Sequence, residues 1–532
     1  MKRSTLIKGC APLLIAATAF AQDATWTGSE SNLWNDADNW NPASIPTGIA
    51  SFGSSATPRT INLAAPTAVE KLRLNSGTTE QVNTIGFTGS ALTISGQETG
   101  AGTRPLTIGS NVNATFNQVV TFSQTGGQYP MMDIAGNTVN TEVTFAAGIN
   151  GNPLVTNFLF GSVSRSVVSA KVNIMGTISN IARIEWKTAN SILNLSAASS
   201  VTDRTLLFHD NIHLQLGHDQ ALGTGILDIN KATNGNTDPL YTLTLEAIGG
   251  NRSYSNELIF NTGGGSGGPG GNPGLIVITG QYNLTFSGLT RVNRPTILEI
   301  HEGIRFTLAG EVTSNTENRF LRKTGAGTLV FSGSSARPSS NIEVRAGTVL
   351  VNGTVTQYSS SAGHDVMVSE TGILGGTGVI NRFVTFETGG TLSPGDPLVD
   401  GGIGSLTIGT ATVSRSLTLA PGSAMAFDLL SADEHDSVMI HGNLTLAGTL
   451  NLMDRGLNEA ADFRLFQYTG TLTNQGLTLG TVPEGWAFAV DLSTENEVWL
   501  RMTAIPEPGT HALLLGGVAL AALAFLRGKP AR

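Results

Sequence analysis

Histidines and carboxylates are the side chains in this sequence that could do chemistry, and they gather at a few places. His209-Asp210, His213 and His218-Asp219 follow closely on one another. Even spacing puts His209 and His213 on one face of an extended strand, where two imidazoles can share a metal ion. His364-Asp365 and Glu434-His435-Asp436 read as corners of the chain instead. A metal site needs convergent ligands, and no spacing brings a third to any of these groups. They are therefore read as structural or solvated residues, with no metal and no cofactor assigned. Hydrolysis of a glycosidic bond needs two carboxylates at a set separation. Asp428, Asp433 and Asp436 are candidates, but their spacing selects no pair. No phosphate loop, HExxH or CxxC pattern occurs. The one cysteine, Cys10, falls in a segment expected to be removed. The mature chain then offers no thiol for a disulfide, a zinc site or a nucleophile. No catalytic residue is assigned, and the expectation is a protein that is not an enzyme.

The elements that would position such residues are short strands. The chain of 532 residues holds 65 Gly, 13% charged and 6% aromatic residues. Gly at this level without a three-residue period, spread among Thr, Ser, Asn, Val and Leu, means many strands and many corners. The formal net charge is -9. An acidic, charge-poor chain lacks the clustered Lys and Arg that phosphate binding requires, so no nucleic-acid partner is expected. No helix-period segment of useful length lies between the two ends. The stretch 323–396 shows the plan best. In KTGAGTLVFSG and IEVRAGTVLVNG, apolar and polar residues alternate between Gly-centred corners. Leu329 and Phe331 should face one way and Val330 and Ser332 the other, because strand side chains have period two. By the same phase Val344, Val351 and Leu392 face inward. Corners return at Gly327, Gly347, Gly372, Gly390, Gly448 and Gly470. Most are about 20 residues apart, in the range of solenoid coils, and one coil cannot bury its apolar face without stacking on the next.

The order KTGAGTLVFSG, AGTVLVNG, GILGGTG, GGTLSPG resembles the autotransporter-associated β-strand repeat of bacterial surface proteins. LQLGHDQALGTGILDI (214–229) and the block 423–452 are similar to other parts of such passengers. The resemblance implies an all-β fold, a right-handed parallel β-helix (solenoid), usually adhesive or structural. It places His218 at a turn position and Asp396, in SPGD, at a corner. An autotransporter ends in a membrane barrel of alternating strands, and this chain ends otherwise.

Residues 1–21 read as a secretory signal peptide. Lys2, Arg3 and Lys8 precede an apolar run, and Ala19-Phe20-Ala21 is an A-x-A cleavage site before Gln22. Signal peptidase and an export translocon are the implied partners. Residues 22–60 carry Trp26, Trp34 and Trp40 and read as a cap for the open end of the solenoid. Sugar stacking on exposed Trp faces is the functional alternative. Asp36-Ala37-Asp38 lacks the Gly and the closing Glu of an EF-hand, so a solvated turn is expected. The solenoid proper is assigned to 61–500, with a Gly-rich loop at 263–274 looping out of one coil. Trp486 and Trp499 are candidates to close its far end.

Residues 505–532 make the last segment. Pro506-Glu507-Pro508 precedes an apolar run and the basic end Arg527, Lys529, Arg532. These three parts look like the PEP-CTERM sorting signal. A hydrophobic helix of about 15 to 20 residues just spans a bilayer, and the basic end stays cytoplasmic. The resemblance implies cutting by an exosortase-type membrane transpeptidase, with a transient inner-membrane stage before the envelope or surface. Surface polysaccharide is a further candidate partner. The two rival readings are a carbohydrate-active enzyme and a sugar-binding module on the same scaffold.

Overall fold

The computed structural model describes residues 21–505 except 79–80, 97–103, 125–129, 135–139, 153–157, 161–169, 210, 231–241, 262–272, 315–319, 335, 338–340 and 358–364. The Gly-rich loop and the apolar C-terminal segment expected to be helical lie outside the described residues, apart from Pro273, Gly274 and Ile505. Among those described, no α-helix occurs and none is long and apolar enough to cross a membrane. The chain is nearly all-β, with predominantly parallel sheets.

Alternation makes each strand. Val112–Phe116 buries Val112, Ala114 and Phe116 and turns Asn113 and Thr115 outward. From there the chain runs through Val120–Phe122 and Pro130–Ile134. It then returns as Thr141–Phe145, parallel to the first strand with Asn113 opposite Glu142 and Phe116 opposite Phe145. The two intervening strands pair in the same way with Leu92–Ile94 and Leu106–Ile108. A slip of one residue would turn every core side chain outward. Phe87, Phe116 and Phe145 instead stack face to face, with ring centres 4.9 and 5.2 Å apart.

Among the described residues four sheets result, of 13, five and seven strands and one larger still. The 13-strand sheet serves the first part of the chain and the seven-strand sheet the last. The largest sheet contains two ribbons, which merge where long strands serve both. Asn341–Val351 pairs with Phe320–Thr324 by its first half and with Thr328–Phe331 by its second. Val366–Gly376 and Leu444–Asp454 do likewise. Five of the six glycine corners fall in one column of this sheet: Gly347 is opposite Gly372, and Gly327, Gly390 and Gly448 align with them. Gly470 lies beside Gly442 in another column. At Gly347 φ is +65°, and a Cβ would sit 2.3 Å from the Gly325 carbonyl oxygen, so no other residue type fits without displacing backbone.

Leu329, Phe331, Val344, Val351 and Leu392 are at most 2% exposed. Val330 departs from the expected alternation, being buried as well, as is Leu350 beside it. At the N-terminal end Trp26, Trp34 and Trp40 are buried with Phe52, and Trp40 Nε1 donates to the Trp34 carbonyl (2.8 Å). No flat Trp face is left open for a sugar ring. At the far end parallel pairing gives way to antiparallel pairing of Glu497–Ala504 with Asp462–Tyr468 and Trp486–Asp491. Trp486 packs partly buried against the core. Trp499 does not close it: Val498 and Leu500 occupy the inward phase, and Trp499 bonds Glu497 beneath the Arg501 guanidinium on the outer side.

One edge varies in length. Chain passing from the 13- or seven-strand sheet to the largest sheet takes two residues between Asn381 and Val384, three between Val292 and Thr296, and twelve between Asn261 and Gly274. Strand register continues across each of these connections.

Candidate functional site

The fold separates the histidines. His213 lies on Ile212–Leu216, but His209 precedes that strand at a corner, so the two do not share a strand face. His213 Nε2 is 2.8 Å from Glu246 Oε2. His218 opens a turn, accepting the Gln220 N–H, as the repeat position implies. His364 and Asp210 are outside the described residues. Asp36 caps the turn Ala37–Asn39 by accepting from Asp38 N–H and the Ser31 hydroxyl.

The carboxylates at the corners are anchors. Asp396 is fully buried and accepts two bonds from the Arg305 guanidinium, one from Asn352 Nδ2 (2.6 Å) and one from the Leu398 N–H (3.1 Å). Burial opposes its ionisation, but these four donors outweigh burial and hold the carboxyl below its usual range. Arg305 begins one strand, and Asn352 follows the end of another two strands away. Asp396 therefore lies over the outer face between them, where Val330 and Leu350 sit. The strap continues to Pro397, Leu398 and Val399. Leu398 is 74% exposed at its tip.

Asp436 pins the other end of the strap. Its two oxygens accept from the Gly404 N–H (2.8 Å) and the Asp428 N–H (2.9 Å). Asp428 in turn meets the Arg455 guanidinium at 2.7 Å, and Asp433 stands exposed and apart. Two of the three candidate acids are thus brought together, Asp436 as an acceptor for backbone N–H groups and Asp428 as the partner of Arg455. Burial, reinforced by the Asp428 charge, pushes the Asp436 carboxyl up to about 7, against the pull of its two N–H donors and Arg455. A carboxyl raised in the folded state gives stability that is full below about pH 4 and is lost as pH rises through about 7. The urea midpoint should fall between pH 5 and pH 8. In Asp436→Asn that fall should flatten, at a lower midpoint throughout because one N–H loses its acceptor. An unchanged slope in the variant would assign the titration elsewhere.

Among the described residues three cations are buried, Arg104, Lys323 and Arg382, and none was assigned from the sequence. Lys323 donates to the carbonyls of Thr324, Gly325 and Ala346 at 2.8, 2.7 and 3.1 Å, and burial pushes its amine down to about 7. Arg382 is fully buried with its Nε on the Thr356 carbonyl, and burial pushes it down to about 10. The signal for Lys323 was present: in FLRKT it shares the inward phase with Leu321.

The outer face of the largest sheet carries a shallow groove of about 360 Å³. Its walls include Asn113, Asn140, Glu142, Lys171, Asn190 and Ile192. Glu142 receives Lys171 Nζ at 3.2 Å and Asn173 Nδ2 at 2.8 Å. Burial raises the Glu142 carboxyl, but these bonds prevail and keep it low and ionised.

Of the processing residues, Ala21 and Gln22 are exposed, and the Gln22 backbone bonds the Thr47 hydroxyl and the N–H groups of Thr47 and Gly48. Ala19, Pro506, Glu507, Pro508, Arg527, Lys529 and Arg532 are outside the described residues. Over 118 residues the chain is 35% identical to the adhesin BmaC autotransporter of Brucella suis biovar 1 (strain 1330). That stretch is 21% of this chain, and the chain spans about 3% of that relative's length. Residues 504–529 match the PEP-CTERM protein-sorting motif, which implies export and processing by an exosortase, a membrane transpeptidase.

Proposed function

We propose that the chain is a right-handed parallel β-helix displayed on, or released from, the cell surface, where it is structural or adhesive and not enzymatic. The sorting motif at 504–529 carries the reading, because it gives the chain a destination in the envelope. In-register return of successive parallel strands supports the β-helix. The similarity to an adhesin supports an adhesive role. The use of Asp396, Asp428 and Asp436 as anchors supports a scaffold more than a hydrolase, whose two carboxyls must reach substrate.

The signal segment carries three basic residues and no acid; the tail from Glu507 carries three basic residues and one acid. Removal of both takes the formal charge from -9 to -14, which favours a soluble, self-repelling product. Intact mass of surface-extracted protein should correspond to a chain that begins at Gln22 and lacks the basic end. Pro506→Ala with Pro508→Ala should leave uncut protein in the inner membrane. Recovery of wild-type protein mostly with Arg532 in place would make the segment a plain anchor and remove the transpeptidase from the account.

A further inference from the structure

We propose that the groove on the outer face of the largest sheet is a binding site for one extended strand of a neutral polysaccharide, a reading that rests on the surface-adhesive assignment. Its walls offer hydrogen bonding that the fold leaves unused. The side chains of Asn113 and Asn140 have no hydrogen-bond partner among the described residues, and Asn190 uses only its Oδ1, which accepts from Asn211 Nδ2 (2.7 Å). Each free amide presents two N–H donors and a carbonyl acceptor, the pattern that reads vicinal hydroxyls. Ile192 and Val82, the latter 41% exposed, supply apolar surface beside the amides, as a sugar ring with one polar rim and one apolar face requires. The volume falls within the range of small-ligand sites.

The direction of the groove sets the ligand's shape. Asn113, Glu142, Lys171, Ile192 and His213 stand opposite one another on five successive parallel strands. Strands repeat at about 4.8 Å, close to the length of one extended pyranose residue. A linear glycan lying across the strands therefore meets one outward side chain at each residue. Charge selects against a polyanion. Lys171 is already paired with Glu142, Glu246 lies beside His213, and the chain is acidic overall. A uronate polymer would meet repulsion that a neutral chain does not.

The test uses the full chain, recovered from the envelope, and three insoluble probes: a neutral β-linked glucan, an N-acetylated amino-sugar polymer and a polyuronate. Retention is expected on one or both neutral polymers and not on the polyuronate. Asn113→Ala combined with Asn140→Gly should weaken retention at least tenfold with the melting temperature unchanged. Glycine suits position 140 because its φ is +79°. Should that pair disturb folding, Asn113→Ala alone, on an outward strand position, should still cost at least threefold. No retention on either neutral polymer, stronger retention on the polyuronate, or equal retention by the folded variants overturns the proposal. Attachment of cells to the same polymers separates this from the parent reading. Attachment that requires the chain but is unaffected by the variants keeps adhesion and discards the groove. Attachment that does not require the chain discards the adhesive role itself.

Discussion

Arg305→Ala should lower stability by about 3 to 5 kcal/mol, the cost of leaving a buried charge without its partner. The size follows from the asymmetry of the pair: Arg305 is partly exposed and can be rehydrated, whereas Asp396 has no exposed surface. After the change only Asn352 and the Leu398 N–H remain to the carboxylate. Part of the loss should return on acidification, since a carboxyl deprived of its guanidinium takes up a proton more readily in the folded state. Asp396→Asn should cost less, and the double variant less than the sum of the single ones. The strap provides a local readout. Protease cleavage near the exposed Leu398 should accelerate in Arg305→Ala before the rest of the chain unfolds. Additive double-variant behaviour, with cleavage unchanged, would show that the pair does not hold the strap.

Phe331→Ala should cost about 3 to 5 kcal/mol, the usual loss for an aromatic removed from a close-packed core. Phe331 is fully buried and stands in register between Leu308 and Val351 on the flanking strands. Neither neighbour can fill the gap, because each is held by its own ladder. Stability in such stacks is approximately a sum of nearest-neighbour terms. The loss should therefore appear first as faster amide exchange in Thr328–Phe331 and its two partner strands, with distant strands little changed. A shift below about 1 kcal/mol would mean that the site collapses far more readily than its packing indicates.

The core was legible because apolar and polar residues alternate along most strands. GTLVFSG and IEVRAG assign Leu329, Phe331 and Val344 to the interior from phase alone, and the glycine column was visible as a recurring corner. The sequence did not reveal contacts made across the stack. Asp396 and Arg305 are 91 residues apart, and no local pattern predicts that a corner folds back over Val330. Lys323 was missed for the opposite reason. Its phase pointed inward, but lysine is rarely buried without a partner, and its partners are backbone carbonyls that carry no sequence signature. The groove residues were equally hidden. Asn113, Asn140 and Asn190 occur in separate strands and turns and come together only through a strand spacing that the linear sequence does not show.

Connections of two to twelve residues leave one edge of the stack while the strands on either side keep their pairing. Doubling a flexible loop costs only about 0.6 kcal/mol of closure entropy. Length at that edge is therefore close to a free variable for evolution, and sequence elsewhere is not. Small duplications and deletions can accumulate there, and each altered segment inherits an undisturbed framework. The same property makes the edge a natural place to graft an epitope or a peptide tag.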